Sequence, residues 1–316
     1  MGCELCPRLC GADRAAGKRG VCGAADCLVV ARAALHFWEE PPISGQRGSG
    51  TVFFAHCPLR CVYCQNAVIA AGDAGAAVSV ERLGAMFLEL QEQGALNVNL
   101  VTPTHYAPEA RSAVAQARAR GLVLPVVWNT SGYETTNAVR ANAGTVDAYL
   151  ADFKYADSGL ARRYSQAPDY PVVALAALEA MVEEAGAPTF DEVDGEPRLT
   201  GGVVVRHLML PGALEDSKRV VRLVHERFGG AVLLSLMNQY TPVLADAADA
   251  GDARAIATLR RCPELAQRVS DEEYERLLDY ADELGVEDYF WQQGGAAEES
   301  FIPSFDLAGV RERADS

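Results

Sequence analysis

The most constraining feature of the sequence is a group of three cysteines that follow a short apolar run. Cys57, Cys61 and Cys64 are spaced C-x3-C-x2-C, shortly after the β-branched and aromatic residues 51–54. Such a run predicts a strand, so the cysteines would lie on the loop at its carboxyl end. Three thiolates on one short loop can hold three irons of a [4Fe–4S] cube and leave the fourth iron open to a small molecule.

Zinc binding and disulfide bonding both fit these cysteines less well. Zinc sites usually contain two paired cysteine motifs, whereas this loop offers three ligands. A disulfide is disfavoured because the group is uneven and because the first residues lack the basic and apolar regions of a secretory signal. No apolar run approaches the roughly 20 residues needed to span a bilayer. The chain has nine cysteines, so we expect metal ligands in a reducing cytoplasm and no membrane contact.

Composition and charge limit the size of the core and the class of partner. The chain has 316 residues, of which 49% are hydrophobic, so it can bury one barrel-sized core or two smaller ones. Its formal net charge of −15 argues against nucleic acid, because binding phosphates requires Lys and Arg on one face. Many acids fall in the last third, as at residues 271–273 and 298–299, and predict a solvated surface.

Strands alternate with helices through the middle of the chain. The predicted strands are residues 52–57, 96–101, 122–128, 146–153, 203–210 and 232–237. The predicted helices follow Ser79, start near Pro108, and span residues 171–184 and 214–228, while the polar residues 191–198 interrupt before the fifth strand. This alternation predicts right-handed βαβ units and a parallel sheet. Periodicity alone leaves two α/β architectures open, a partial (β/α)6 barrel and a flat doubly wound sheet.

Polar and charged residues recur at the carboxyl ends of these predicted strands. Besides the cysteine loop, the stretches are residues 102–105, 129–133, 152–155, 206–207 and 238–240. Parallel α/β folds build their sites at this edge. Any one stretch could be an ordinary loop or a buried polar group that its neighbours satisfy. Their repetition at one edge predicts a shared site.

The cysteine loop, with the aromatic Tyr63 before its last cysteine, resembles the cluster loop of the radical S-adenosylmethionine (SAM) enzymes. Further stretches resemble the pyruvate formate-lyase activating-enzyme-related proteins, in a subgroup with an extra N-terminal cysteine segment: residues 63–66, 129–133, 150–154, 206–212, 235–240 and 301–306. The resemblance implies a partial (β/α)6 barrel at residues 46–316, after a cysteine-rich metal-binding segment at residues 1–45. It also implies an oxidoreductase in which one electron cleaves SAM to methionine and a 5′-deoxyadenosyl radical, which abstracts hydrogen.

The resemblance assigns roles around the cluster. The cysteines that would hold the [4Fe–4S] cluster are Cys57, Cys61 and Cys64. Tyr63 would pack on the adenine of SAM. Lys154 and His207 match polar positions close to SAM, and His207 would contact the reacting end.

The resemblance also implies a site for the methionine end of SAM. Asn129, Thr130 and Asp152 match positions that surround its carboxylate, in some relatives through a monovalent cation. Asn129 stands where the activating enzymes carry an acid. The usual Gly-Gly-Glu contact to the amino group is missing, and Thr102 and Thr104 could accept its hydrogens instead.

A second group of cysteines lies at the N-terminus with the spacing C-x2-C-x3-C-x11-C. Its members are Cys3, Cys6, Cys10 and Cys22. Four thiolates can close a zinc tetrahedron or hold a second iron–sulfur cluster. The first three positions suit a cluster and the long gap to Cys22 suits zinc, which we favour. Cys27 and Cys262 are expected to be packed thiols.

Three classes of function are compatible with these observations. The first is an activating enzyme that forms a glycyl radical on a partner enzyme, using a low-potential electron donor such as flavodoxin or ferredoxin. The second is a radical SAM enzyme that modifies a small molecule or a peptide. The third is a non-catalytic zinc-binding scaffold, which would account for the N-terminal segment only. The resemblance favours the first.

Overall fold

Parallel strands that follow one another in chain order form the centre of the structure, which is a computed structural model describing residues 2–287, 289–291 and 302–311. Its strands are β1 (Val29–His36), β2 (Ser49–Phe54), β3 (Ala76–Ala77), β4 (Val98–Val101), β5 (Val126–Thr130), β6 (Ala148–Asp152), β7 (Thr189–Val193), β8 (Glu196–Leu208), β9 (Leu233–Met237) and β10 (Tyr289–Phe290). The sheet order is β10-β9-β8-β6-β5-β4-β2-β1-β3, and β7 pairs with β8. From β2 to β10 along that order every pair is parallel, whereas β1, β3 and β7 pair antiparallel.

Helices connect most of these strands. The described helices are α1 (Pro41–Ser44), α2 (Ala67–Ala71), α3 (Val80–Glu92), α4 (Ala107–Ala119), α5 (Thr136–Arg140), α6 (Ser158–Ser165), α7 (Tyr170–Ala185), α8 (Leu214–Phe228), α9 (Val243–Asp249), α10 (Ala253–Arg261) and α11 (Asp271–Leu284). As predicted, α3 begins after Ser79, whose hydroxyl accepts a hydrogen bond from the backbone N–H of Arg82 at 3.1 Å. None of the described helices is long and apolar enough to cross a membrane.

The predicted alternation is confirmed as a mixed α/β fold, with two differences. The first strand ends at Phe54, so the loop that carries the cysteines begins earlier than expected. Residues 191–198, predicted to interrupt the pattern, belong to an antiparallel hairpin of β7 with the start of β8. That prediction was wrong because β7 is exposed and polar, so it lacks apolar alternation. Asp194 and Gly195, both at positive φ, form the turn, and this Asp-Gly pair was the available signal.

The two faces of the sheet have different roles. Val203 and Val205 of β8 pack into the large core that the helices cover, whereas Val204 belongs to a smaller core on the other face. Successive side chains of a strand alternate between faces, so Arg206 lies on the face of Val204 and His207 on the face covered by helices. This alternation decides which residues reach the site described below.

The N-terminal segment is joined to the sheet. β1 lies within residues 1–45 and forms an antiparallel ladder with β2 from Val30–Phe54 to His36–Ser49. Described residues 302–311 also reach this edge, since the N–H of Ala33 donates to the carbonyl of Ala308 at 2.8 Å. Residues 298–299 and Phe301, which entered the sequence predictions, lie outside the described residues.

Candidate functional site

A cavity of about 230 Å³ lies at the carboxyl ends of the parallel strands, where the sequence predicted a shared site. The carboxyl ends of several strands and the loops that follow them contribute side chains to this cavity. The residues that line it include Phe53, Cys57, Cys61, Tyr63, Cys64, Val101, Thr102, Asn129, Thr130, Asp152, Lys154, Arg206, Leu208, Met237 and Gln239. Predicted site residues at the carboxyl ends of four different strands are therefore close together.

The three loop cysteines all line this cavity. Burial raises the pKa of the Cys64 thiol to about 12, and Cys61 and Cys57 beside it add to that rise. Ser165 donates a hydrogen bond to Cys61 Sγ at 3.0 Å. A raised pKa favours the protonated thiol when no metal is bound. A cationic iron centre would displace those protons and bind the thiolates.

The donor set fits an iron–sulfur cube better than a single ion. Among the described residues, the N-terminal cysteines included, no three Cys, His, Asp or Glu side chains are arranged to hold one metal ion. The thiolates of a cube each bind a different iron, so they need not converge on one point. Cys57, Cys61 and Cys64, on one loop and facing one cavity, satisfy that weaker requirement.

Arg8 fastens the cysteine loop to the N-terminal segment. Its guanidinium donates hydrogen bonds to four backbone carbonyls, those of Pro58 (2.9 Å), Leu59 (3.3 Å), Ser165 (2.8 Å) and Gln166 (2.6 Å). It also lies 5.2 Å from the ring centre of Tyr133. One side chain thus holds together three separate segments of the chain, and it stands between Cys6 and Cys10 in the sequence.

A partly buried network of charges lines the same cavity as the cysteines. Arg206 donates to Asp152 Oδ1 at 3.1 Å, to Glu39 Oε2 at 2.9 Å and to Asn129 Oδ1 at 2.6 Å. Lys154 donates to Asp152 Oδ2 at 2.6 Å. Burial by itself would raise the pKa of Asp152, but Lys154 and Arg206 outweigh it and lower that pKa. Asp152 is therefore ionised between two cations.

Tyr63 lines the cavity among other tyrosines. Its hydroxyl accepts a hydrogen bond from Tyr155 at 2.7 Å, and its ring meets those of Tyr155, Tyr164 and Tyr240 edge to face. The ring is thus held in place beside the cysteines. Its packing on adenine stays a prediction.

Two predicted site residues do not reach the cavity. His207 lies on the face covered by helices, where its Nδ1 is 2.8 Å from the carbonyl oxygen of Phe153, and burial lowers its pKa. Thr104 belongs to a short 3-10 turn (Thr104–Tyr106) and donates to the buried carboxylate of Glu134 at 2.6 Å. Thr130 also donates to Glu134, at 2.8 Å, yet it lines the cavity. His207 and Thr104 are thus not among the residues that line the cavity, and their roles beside SAM stay predictions.

Sequence reasoning missed two charged residues of the site. Glu39 comes from the segment between β1 and α1, and nothing in its local pattern marked it. Arg206 was quoted only as part of a motif, although a signal existed. Residues paired in a parallel ladder share a face, and Arg206 is paired with Asp152.

The N-terminal cysteines also lie close to one another. A Cβ atom on Gly20 would lie 3.2 Å from Cys10 Sγ and 3.5 Å from Cys22 Sγ. Burial raises the pKa of Cys6 to about 12, and Cys22 and Cys3 add to that effect. Their metal stays a prediction. Of the two further cysteines, Cys262 is buried as expected, whereas Cys27 is exposed.

Comparisons with known proteins identify the fold. No protein-family model matches the chain. An uncharacterized protein of Methanocaldococcus jannaschii is 24% identical over 296 residues, which cover 90% of this chain and 75% of that protein. The crystal structure of a radical SAM methyltransferase from Sphaerobacter thermophilus matches with a TM-score of 0.51 and 14% identity, over 78% of this chain and 67% of that chain. The chain has the fold of a radical SAM enzyme.

Replacing Arg8 with Met should loosen the cysteine loop. The variant keeps an unbranched stem but loses four hydrogen bonds from a charged donor, so we expect a loss of about 2–3 kcal/mol in the free energy of unfolding. Arg19→Met, at an exposed position, is the control and should change it by less than about 0.5 kcal/mol. Urea unfolding measures both, and equal stabilities of the two variants would contradict the role of Arg8.

Replacing Asp152 with Asn should destabilise the network by about 3 kcal/mol, because two buried cations lose their shared partner. The folded-state pKa of Asp152 is lowered, so its contribution is present above about pH 4, its unfolded value, and is lost as pH falls through the folded value. Urea unfolding at pH 7 and pH 3 should show a larger difference at pH 7. Asp246→Asn, which is exposed, is the control; a pH-independent difference would contradict the interpretation.

Proposed function

We propose that this protein is a radical SAM enzyme that binds SAM between the cysteine loop and the charged network. The observation that carries the proposal is that both border one cavity at the carboxyl ends of the strands. The order of the parallel strands suits the partial barrel implied by the sequence resemblance. The fold shared with a radical SAM methyltransferase supports the assignment.

The chain's own residues suit the two ends of SAM. Its methionine end carries a carboxylate and an ammonium group. Lys154 and Arg206 can bind the carboxylate, and Asp152 can accept hydrogens from the ammonium. Thr102, at φ 59°, is held by a hydrogen bond from its N–H to the carbonyl of Asn129, and its hydroxyl is a further acceptor.

The remaining groups position the ligand and exclude water. The Tyr63 ring offers a flat apolar surface for adenine, and its hydroxyl is already bound by Tyr155. A [4Fe–4S] cluster on Cys57, Cys61 and Cys64 would supply one electron to cleave SAM to methionine and a 5′-deoxyadenosyl radical. Arg8 would keep those cysteines at a fixed position relative to the network. Exclusion of water from the cavity would limit side reactions of the radical.

The target of the radical is open to two proposals. One is a glycine of a partner enzyme, as in the activating enzymes that the sequence resembles. The other is a small molecule or a peptide. In either case a low-potential donor, flavodoxin or ferredoxin, would supply the electron, and the cytoplasm would supply the reducing environment. A zinc scaffold without catalysis leaves the cavity and its cysteines unexplained.

Removal of the loop cysteines tests the proposal. Single Ala variants at Cys57, Cys61 and Cys64, and the triple variant, should lose the visible absorbance of the cluster and release no 5′-deoxyadenosine under anaerobic reduction. Cys27→Ala, at an exposed position, should retain both. Chromatography of the product measures the outcome. Release of 5′-deoxyadenosine by the triple variant would refute the proposal.

We further propose that the N-terminal cysteines bind their own metal, and the triple variant isolates it. One zinc per chain supports a structural tetrahedron, and about four irons supports a second cluster. Stripping this metal should expose residues 2–28 to protease while the rest of the chain stays folded. Metal analysis and limited proteolysis measure these effects. Absence of both metals from the triple variant would contradict the proposal.

A further inference from the structure

A smaller cavity of about 100 Å³ lies beside the main one. Residues that line both cavities are Trp38, Glu39, Arg206, Met237 and Gln239. The smaller cavity adds Glu40, Ser235, Phe290 and Trp291. It is therefore a side chamber of the proposed SAM site, built from the segment before α1 and from β8, β9 and β10.

Glu40 carries an oxygen for which the described residues provide no hydrogen-bond partner. The residue is 8% exposed, and its Oε2 atom is buried without a hydrogen bond among the described residues. Burial raises the pKa of this carboxyl; Arg206 opposes that rise and Glu39 adds to it. A buried carboxyl oxygen without a donor costs free energy, which a ligand with an N–H donor would recover.

Carboxyl groups outnumber cationic groups around the two cavities. Glu39, Glu40 and Asp152 are three carboxyls, against the two cations Arg206 and Lys154. Glu39 is satisfied by Arg206 at 2.9 Å and by Asn99 at 3.0 Å, and Asp152 is satisfied by both cations. Of these three carboxyls, Glu40 is the one with an oxygen that has no hydrogen-bond partner among the described residues. A ligand that brings one positive charge would complete the set.

The rest of the chamber suits an organic cation. Trp38 is 48% exposed and Trp291 49%, and Phe290 lies with them along its wall. Indole rings attract ammonium groups through their faces and cover the attached carbons. A metal ion would instead require several oxygen ligands, which an aromatic wall does not provide.

We infer that this chamber binds the ammonium group of an alkylamine, carried by a small molecule or by a lysine side chain, with Glu40 as the partner of the cation. That the amine belongs to the substrate rests on the proposed function, because the chamber opens beside the site proposed for SAM. The binding itself does not depend on catalysis.

Ligand-observed NMR titration of the anaerobically purified protein tests the inference. The probes are n-butylammonium, with 1-butanol as its neutral isostere, and N-acetyl-lysine methylamide, with N-acetyl-norleucine methylamide as its neutral counterpart. We expect each cation to bind at least about tenfold more tightly than its neutral counterpart, since a charge-assisted hydrogen bond to Glu40 contributes about 1.4 kcal/mol or more. Tighter binding of the lysine derivative than of n-butylammonium would identify a peptide as the source.

Matched variants decide whether Glu40 is responsible. Glu40→Gln should remove the preference for the cations, and Trp291→Leu should weaken binding of both cations. Glu226→Gln, at an exposed position of α8, should leave both unchanged. Thermal unfolding of each variant checks that it is folded. Equal binding of cation and neutral isostere by the original chain, or an unchanged preference in folded Glu40→Gln, would overturn the inference.

The assay of 5′-deoxyadenosine separates this inference from the proposed function. Absence of a cation preference in the original chain, with SAM cleavage intact, would refute the chamber alone. Cation binding without SAM cleavage in the original chain would refute the proposed function alone.

Discussion

The site is built around the buried guanidinium of Arg206. It donates hydrogen bonds to Asp152 on β6, Asn129 on β5 and Glu39 before α1. It therefore joins neighbouring parallel strands to the segment between β1 and α1. An arginine suits this place because its planar donors can bind several oxygens at fixed angles. Its burial is tolerable only because each of those oxygens is in position. The arrangement of the cavity wall and the packing of the strand ends therefore depend on each other.

Much of the fold could be predicted because its signals are local. Strands β4, β5, β6 and β9, and helices α3, α4, α7 and α8, carry apolar periodicities that the core then buries. The exposed hairpin of β7 gave no such signal. Glu39 could not be found because its partner Arg206 is 167 positions away in the sequence. The sequence did not indicate that His207 faces away from the cavity, because one residue along a strand exchanges the two faces of the sheet, and Arg206 shares the face of Asp152.

Hydrogen bonds from two arginines hold the N-terminal segment against the rest of the fold, including the cysteine loop. Arg8 is flanked by Cys6 and Cys10, and it donates hydrogen bonds to carbonyls of the cysteine loop at residues 58–59 and of the C-terminal end of α6 at residues 165–166. Arg14 adds a second connection, donating to the carbonyl of His105 at 2.6 Å. A metal that fixed the N-terminal thiolates would limit the freedom of Arg8 as well. Through this coupling, a metal bound by the N-terminal cysteines would directly affect the position of Cys57 and Cys61.

Among the carboxyls Glu39, Glu40 and Asp152, Glu40 has an oxygen that its described neighbours leave without a partner, as do Asn66 Oδ1 and Ser131 Oγ in the main cavity. Arg8, Arg206 and Lys154 all have hydrogen-bond partners within the protein. Their contacts therefore stabilise the fold itself. A buried carboxyl oxygen without a donor contributes nothing to folding and costs free energy. Such departures are expected where a site is adapted to a ligand and not to the protein alone. The aromatic wall of the chamber and the surplus of one carboxyl indicate a cation as that ligand. The chamber proposed to bind a cation differs in this respect from the proposed SAM side, where Asp152, Arg206 and Lys154 already have partners.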